Sequence, residues 1–390
     1  MGVWHEYYKN EGITNLIHLK VRMGSLGSEF FTLLRAALNG DPIVEKVEWK
    51  SVYLLAQRQS LEGVIWPVVK EGKLPLDVAF QWAGMVEMIR GLNELQNKEA
   101  ARLTRVFEEV GRRSAILKGQ ANARLYPDKL LRQPGDIDIW VDGGRGNVIE
   151  MLINLGLLNE RPTITNVGKR NKATANNHHI HLPMTKDGVV VEVHFRPTSG
   201  NHCPWTNWRL QKWLKEEIGT VTKVKEGFCV PSTKFALVMQ LSHIQRHFLG
   251  SGIGMRQICD YYLLLKNSTE EERGMVSGKI GWFGLRRTAG ALMWLLGETL
   301  HLDKGLMICE PDAWRGELLL REVMDGGNFG HYALQDGIWR QWFASKVRHA
   351  RLMRFDFREV VWMEVNYWKT IVKTLPERVR RRSLSMRVMN

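Results

Sequence analysis

Cysteine is scarce in this chain and long apolar runs are missing, and each absence narrows what the protein can be. Its 390 residues hold four cysteines, Cys203, Cys229, Cys259 and Cys309, far apart and with no C-x-x-C pair. That excludes a zinc ribbon or a disulfide framework and fits a reducing, cytoplasmic setting. No stretch reaches the roughly 18 uninterrupted apolar residues that span a bilayer. Ala289 to Leu296 is apolar but short, the pattern of a buried helix. The opening residues, Met1 to Glu6, lack the apolar core of a signal peptide, so a cytoplasmic protein with no membrane span is expected. Internal repeats and low-complexity tracts are also missing. Acidic residues run short as well: 41 Asp and Glu face 55 Lys and Arg, a formal charge of +14 with a pI near 9.7. Such a balance favours anionic partners: a nucleotide, a nucleic acid, an acidic polysaccharide or a membrane surface.

What is present is an ordinary folding composition, 44% hydrophobic and 25% charged, in a chain too long for one typical core. From about Glu29 the pattern is helical. Phe30, Phe31, Leu33, Leu34 and Ala37 share one stripe, and Val52, Leu55 and Ala56 begin another. A long helix is expected from Leu76, just after Pro75, to Val110, stopped by Gly111 with Arg112 and Arg113 behind it. The period then changes. Ser114 to Lys118 reads as a strand, Ala121 to Tyr126 as a short helix, Ile137 to Val141 as a second strand and Asn147 to Leu155 as a helix. His178 to Met184 and Val189 to Phe195 read as strands joined through Asp187-Gly188, a hairpin signal. After Pro231-Ser232 the helical pattern returns, and the tryptophans along it (Trp282, Trp294, Trp314, Trp362 and Trp368 among them) sit where core packing is the default. The expected organisation is a helical region over 1–110, with 1–22 as a loose extension, an α/β core over 111–230, and a helical domain over 231–390. The last ends in a mobile basic tail of Arg378, Arg380, Arg381 and Arg382.

Gly135-Asp136-Ile137-Asp138-Ile139 carries the most chemical information. Two carboxylates one residue apart share a strand face. Like charges beside apolar neighbours are costly to bury unpaired, and a divalent cation relieves them, here Mg²⁺ or Mn²⁺ carrying a nucleotide's phosphates. Phosphoryl or nucleotidyl transfer usually needs a third carboxylate. Glu192 is the best candidate, because alternation in Val189 to Phe195 puts Val190, Glu192 and His194 on one face and Val189, Val191 and Val193 on the other. Upstream, Lys118-Gly119 ends the first strand, where a glycine turn lets backbone N–H groups approach a phosphate and Lys118 adds a point charge. Arg132 could clamp phosphate oxygens as a fork, or balance Asp128 at the surface.

Taken together, Leu117-Lys118-Gly119, Leu125-Tyr126-Pro127-Asp128, Leu131-Arg132, Gly135 to Ile139 and Val191-Glu192-Val193-His194-Phe195 resemble a bacterial family of largely uncharacterised nucleotidyltransferases in the DNA polymerase β-like superfamily. The resemblance covers about residues 110–200 closely and the helical region to Asp260 more loosely. It implies an α+β fold, a small mixed-sheet core flanked by N-terminal and C-terminal helical regions. Asp136 and Asp138 would ligate the metal and Glu192 would take the third position. Where the superfamily usually has Gly-Ser this chain has Gly119-Gln120, an amide in place of the hydroxyl, and its third acid is Glu rather than Asp, one methylene longer. The family often shows His and then Arg…Asp in the following helical region, here His243, His247, Arg256 and Asp260, which would line a nucleotide or acceptor pocket. Within this reading Lys118, Gly119, Gln120 and Arg132 bind phosphate, His194 orients Glu192 or a phosphate oxygen, and an NTP donates its NMP group to an acceptor hydroxyl. The positive charge favours an anionic acceptor such as RNA.

Two alternatives stand beside it. One is a non-catalytic nucleotide- or RNA-binding protein, drawn from fifteen tryptophans, many arginines and the interleaved run from Trp339-Arg340-Gln341-Trp342 to Arg351. The other is a metallohydrolase in which His178, His179, His181 and His194 join Glu192 around zinc. Strand alternation there puts His179 and His181 on one face and His178 on the other, and leaves Asp136 and Asp138 unused.

Overall fold

A computed structural model describes residues 25–42, 47–159, 161, 174–175, 178–327 and 338–380. The extension over 1–22 and the basic residues Arg381 and Arg382 lie outside these. The described residues form thirteen α-helices, a five-stranded mixed sheet and a two-stranded ribbon, an α+β fold. No described helix is long and apolar enough to cross a membrane.

The chain divides into two compact units that are discontinuous in sequence. The first comprises 1–198, 218–236 and 299–301; the second comprises 199–217, 237–298 and 302–390. In the first unit α1 (Ser25–Asn39), α2 (Trp49–Gln59) and α3 (Glu62–Val69) precede α4 (Leu76–Glu109). α4 begins after Pro75 and closes at Gly111, whose φ of +70° is the left-handed conformation a glycine adopts without strain. Its buried side runs Val78, Trp82, Met85, Ile89, Asn93, Gln96, Ala100, Leu103 and Phe107, a three-to-four spacing that contains two amides.

Next come β1 (Ser114–Ile116), the single turn α5 (Gln120–Ala123), β2 (Ile137–Val141), α6 (Gly144–Asn154), β3 (Thr174–Ala175), β4 (His179–His181) and β5 (Val191–His194). The sheet order is β1-β2-β5-β4-β3, with β2 and β5 parallel and the other pairs antiparallel. The expected β4–β5 hairpin forms. Gly188 donates to the Thr185 carbonyl at 3.0 Å and takes a positive φ of 80°. One face of the sheet is apolar: Ile137, Ile139, Val141, Ile180, Val191 and Val193 pack with Ala100, Leu103 and Phe107 of α4 and Val148 and Leu152 of α6. This settles register, since a one-residue slip would turn β5's valines out and Glu192 in. A ribbon of β6 (Val221–Lys223) and β7 (Cys229–Pro231) completes the unit.

The second unit is helical. It holds α7 (Pro204–Glu217), most of α8 (Thr233–Leu249), α9 (Met255–Lys266), α10 (Glu270–Ile280), most of α11 (Arg286–Leu300), α12 (Ala313–Gly326) and α13 (Ile338–Arg380). The pattern after Pro231 anticipates α8, with the Ser232 hydroxyl accepting from the Phe235 N–H at 3.4 Å. α13 breaks at Asp356 (φ −147°, ψ 90°), whose carboxylate accepts from Arg287 at 2.8 Å and from the Glu359 N–H at 3.3 Å. Glu359 in turn caps the start of α7, accepting from the His202 N–H at 2.7 Å, the Cys203 N–H at 3.3 Å and the Thr206 hydroxyl at 3.3 Å. Core packing of the tryptophans needs correction: Trp282, in the turn after α10, is 47% exposed, and Trp314 and Trp368 are 51% and 50% exposed, because their helices are amphipathic and these positions lie off the buried stripe.

His202 sits at the Glu359 cap, 8% exposed, with Arg246 Nη1 3.5 Å from its Nδ1. Burial, reinforced by the charges of Arg246 and His349, pushes its imidazole down to about 3. The folded protein therefore keeps His202 neutral while the unfolded chain protonates it near the ordinary value of about 6.5. Its contribution is complete above that value and is lost as pH falls toward 3. Urea unfolding between pH 7 and 4 is expected to show stability falling on the acid side by up to about 1.4 kcal/mol per pH unit from this group, and His202→Gln is expected to flatten that slope.

Candidate active site

The polar face of the sheet collects its charged residues in adjacent rows. Across β2, β5 and β4, Asp138 is the direct Cα partner of Glu192, and Glu192 of His181. In the next row His194 faces His179. Asp136 lies one residue before β2 and two before Asp138, on the same side, and its carboxyl hydrogen-bonds Glu192. Three acids expected to converge from separate segments thus do so.

Charge compensation is local and dense. Asp138 is 2% exposed, with Lys118 Nζ at 3.1 Å on Oδ2 and His194 Nε2 at 3.0 Å on Oδ1. Glu192 Oε2 lies 3.5 Å from His194 Nε2 and 3.3 Å from His179 Nδ1, and its Oε1 lies 3.2 Å from His181 Nδ1. Burial works on every group here, and neighbours decide the outcome. For Asp136, burial raises the carboxyl, but Lys118 and the Glu192 hydrogen bond outweigh it and hold it at about 2. For Glu192, burial and the Asp136 charge push the same way, to about 8. Burial lowers His194, but the hydrogen bonds it donates to Asp138 and Glu192 win and raise it to about 9. Lys118 is raised as well, because the charges of Asp138, Asp136 and Glu192 overcome burial. The resting cluster is therefore three acids held by two cations, with Glu192 the acid that keeps its proton most readily.

Gly119 follows Lys118 with a φ of +58°, a turn open to glycine, and a Cβ there would stand 3.5 Å from the Asp136 carbonyl. α5 beyond it has only four residues, so a helix dipole contributes little and the turn itself is the feature available to a phosphate. Gln120 is buried and directs its amide N–H₂ toward Asn93 Oδ1 and Asn97 Oδ1, both at 3.1 Å. Arg132 is 4% exposed, its Nη1 donating to the Gln133 carbonyl at 3.2 Å. Its surface pairing with Asp128 is not found: Asp128 pairs with Arg90 at 3.2 Å. His247, Arg256 and Asp260 belong to the second unit. There the ring of His247 lies 4.2 Å from that of His243 and its Nδ1 3.1 Å from Ser251 Oγ, while Arg256 and Asp260 are buried on α9.

Two further findings escaped the sequence patterns. His178 does not lie across the sheet from His179. It sits at a bend before β4, where alternation does not apply, with its Nε2 3.0 Å from His179 Nδ1 and its ring 5.5 Å from that of His194. The loop that delivers the Asp pair is pinned from α4. Asn93 Nδ2 donates to the carbonyls of Leu130 at 2.7 Å and Arg132 at 2.9 Å, and Gln96 Nε2 donates to Gly135. α3 fits against the same loop because Gly63 has no side chain; a Cβ would stand 2.2 Å from the Leu131 carbonyl oxygen. The signal in the sequence was two amides three residues apart at core positions of α4.

Residues 45–301 match a family described as an uncharacterised nucleotidyltransferase, and the chain belongs to that family. Among solved structures it is similar to a crystal structure of an antigenic nucleotidyltransferase-like protein from Paracoccidioides brasiliensis. Identity is 15%, with 57% of this chain and 96% of that chain covered and a TM-score of 0.36. No curated protein matches.

Asn93→Ala leaves the buried Arg132 carbonyl and the part-buried Leu130 carbonyl without this donor. The expected cost is about 1–3 kcal/mol, read as a lower urea midpoint at unchanged m-value. An unchanged midpoint would show that the loop before Asp136 is held without Asn93.

Proposed function

We propose that this chain is a divalent-metal-dependent nucleotidyltransferase that moves an NMP group from an NTP to an acceptor hydroxyl. The observation that carries the reading is the pairing of Asp138 with Glu192 across β2 and β5, with Asp136 hydrogen-bonded to Glu192 and Lys118 beside them. Three carboxylates are a hard oxygen donor set, which suits Mg²⁺ or Mn²⁺. Asp136, Asp138 and Glu192 would hold the ion. When bound, it supplies neutralisation of triphosphate charge and activation of the attacking oxygen.

The chain's own groups do the rest. Lys118 contributes a cation that burial does not discharge, and the Gly119 turn gives backbone access for a phosphate oxygen. His194 stays protonated between Asp138 and Glu192 and fixes both carboxylates in orientation. In the reaction the acceptor oxygen bonds to the α-phosphorus, the bond from that phosphorus to the bridging oxygen breaks, and pyrophosphate leaves. The hydroxyl proton would pass to Glu192 in its ionised form, a carboxylate whose proton affinity burial and the Asp136 charge raise. The formal charge of +14 favours an anionic acceptor such as an RNA end.

The test is to incubate the full chain with each labelled NTP, Mg²⁺ and a cell extract, and find which molecule carries the label. Asp136→Asn combined with Asp138→Asn is expected to reduce labelling ~10²–10³-fold or more, since a metal site contributes several kcal/mol to the transition state. His194→Asn is expected to weaken Mg²⁺ binding by about 10–100-fold through loss of carboxylate orientation. Undiminished labelling in the double variant would contradict the reading.

A further inference from the structure

Four of the chain's twelve histidines, His178, His179, His181 and His194, gather at one sheet face, and the proposed transfer reaction uses only His194. Its two ring nitrogens are engaged, Nε2 by Asp138 at 3.0 Å and Nδ1 by the Arg196 carbonyl at 3.2 Å. The remaining imidazoles have a different character. His179 and His181 sit at i and i+2 of β4 and so share a face, and His181 is the direct partner of Glu192 on β5. His179 Nε2 is 3.0 Å from His181 Nε2, and the Glu192 oxygens stand 3.3 Å and 3.2 Å from the Nδ1 atoms of His179 and His181. One ligand atom from each of the three lies within 4.8 Å of the others. Donors around a tetrahedral ion with bonds of about 2.0–2.1 Å sit roughly 3.3–3.4 Å apart, so three ligand atoms spread over no more than 4.8 Å close on an ion by side-chain rotation.

Chemistry separates these donors from the three acids. Imidazole nitrogens suit zinc, iron, cobalt, nickel and copper, whereas Mg²⁺ and Mn²⁺ prefer the all-oxygen set. His178, its Nε2 3.0 Å from His179 Nδ1, is placed to fix the His179 ring.

We propose that His179, His181 and Glu192 form a transition-metal site of the zinc class, two imidazoles and one carboxylate, beside the three-acid set and sharing Glu192 with it. Binding at this site stands on the histidine geometry alone. Its consequence rests on the transferase reading: an ion held by the histidines draws Glu192 away from Asp136 and Asp138, so zinc-class metals depress Mg²⁺-dependent transfer. Residues 178–181 and 192 thereby act as a metal-responsive brake on the same sheet face.

The test uses the full chain without a histidine tag, stripped of metal and titrated with Co²⁺ as a visible-absorbing probe, with Zn²⁺ as competitor. One Co²⁺ per chain is expected, with absorption of a four- or five-coordinate nitrogen and oxygen site, displaced by Zn²⁺ and not by millimolar Mg²⁺. His181→Asn, at a half-buried position, and His179→Asn should each weaken Co²⁺ binding by about tenfold or more, with circular dichroism confirming the fold. The Asp136→Asn and Asp138→Asn double variant should still take one Co²⁺ while losing Mg²⁺-dependent labelling, so failure of the transferase reading is distinguishable from failure of this site. Equal Co²⁺ binding in wild type and a folded His179→Asn and His181→Asn double variant would overturn the proposal, as would loss of Co²⁺ from the aspartate variant.

Discussion

Two carboxylates opposite one another across a parallel strand pair, Asp138 on β2 and Glu192 on β5, set the terms for everything around them. Burying like charges at that spacing is unfavourable unless cations stand beside them. The chain supplies two, Lys118 and His194, each bonded to one Asp138 oxygen. Glu192 is left as the acid with the highest proton affinity, raised by burial and by Asp136. A site whose own cations neutralise most of its charge persists in the folded protein.

Placing that pair depends on the opposite face of the same strands. Ile137, Ile139, Val191 and Val193 lock β2 and β5 into register against Leu103 and Phe107 of α4 and Leu152 of α6. The apolar face fixes which residues alternate toward the acids, and α4 also holds the preceding loop through Asn93 and Gln96. One helix therefore packs the sheet and holds the loop that leads to Asp136. That coupling explains two amides within a mostly apolar stripe, each donating to a carbonyl of the loop it positions.

Much of this was legible in the sequence where a local period or a breaker carried the information. Pro75 and Gly111 bound α4, Asp187-Gly188 marks the hairpin, and the alternation through Val189 to Phe195 puts Glu192 and His194 on one face. Convergence of Asp136, Asp138 and Glu192 followed from alternation plus a family resemblance that residues 45–301 bear out. Features set by tertiary context were not legible. His178 precedes its strand and escapes alternation; Gln120 turns toward Asn93 and Asn97; α7 joins a second unit through the Glu359 cap. Several tryptophans expected in a core are half exposed, because composition does not say which side of an amphipathic helix a residue occupies.

The central claim is that the acids, not the histidines, hold the ion that accompanies the nucleotide. The most direct measurement is a crystal structure of the full chain with Mn²⁺ and a non-hydrolysable NTP, with the metal located by its anomalous signal. The account predicts manganese bonded at about 2.0–2.2 Å to carboxylate oxygens of Asp136 and Asp138 and to the triphosphate. Manganese and triphosphate bound elsewhere, with Asp138 still paired to Lys118 and His194, would contradict it.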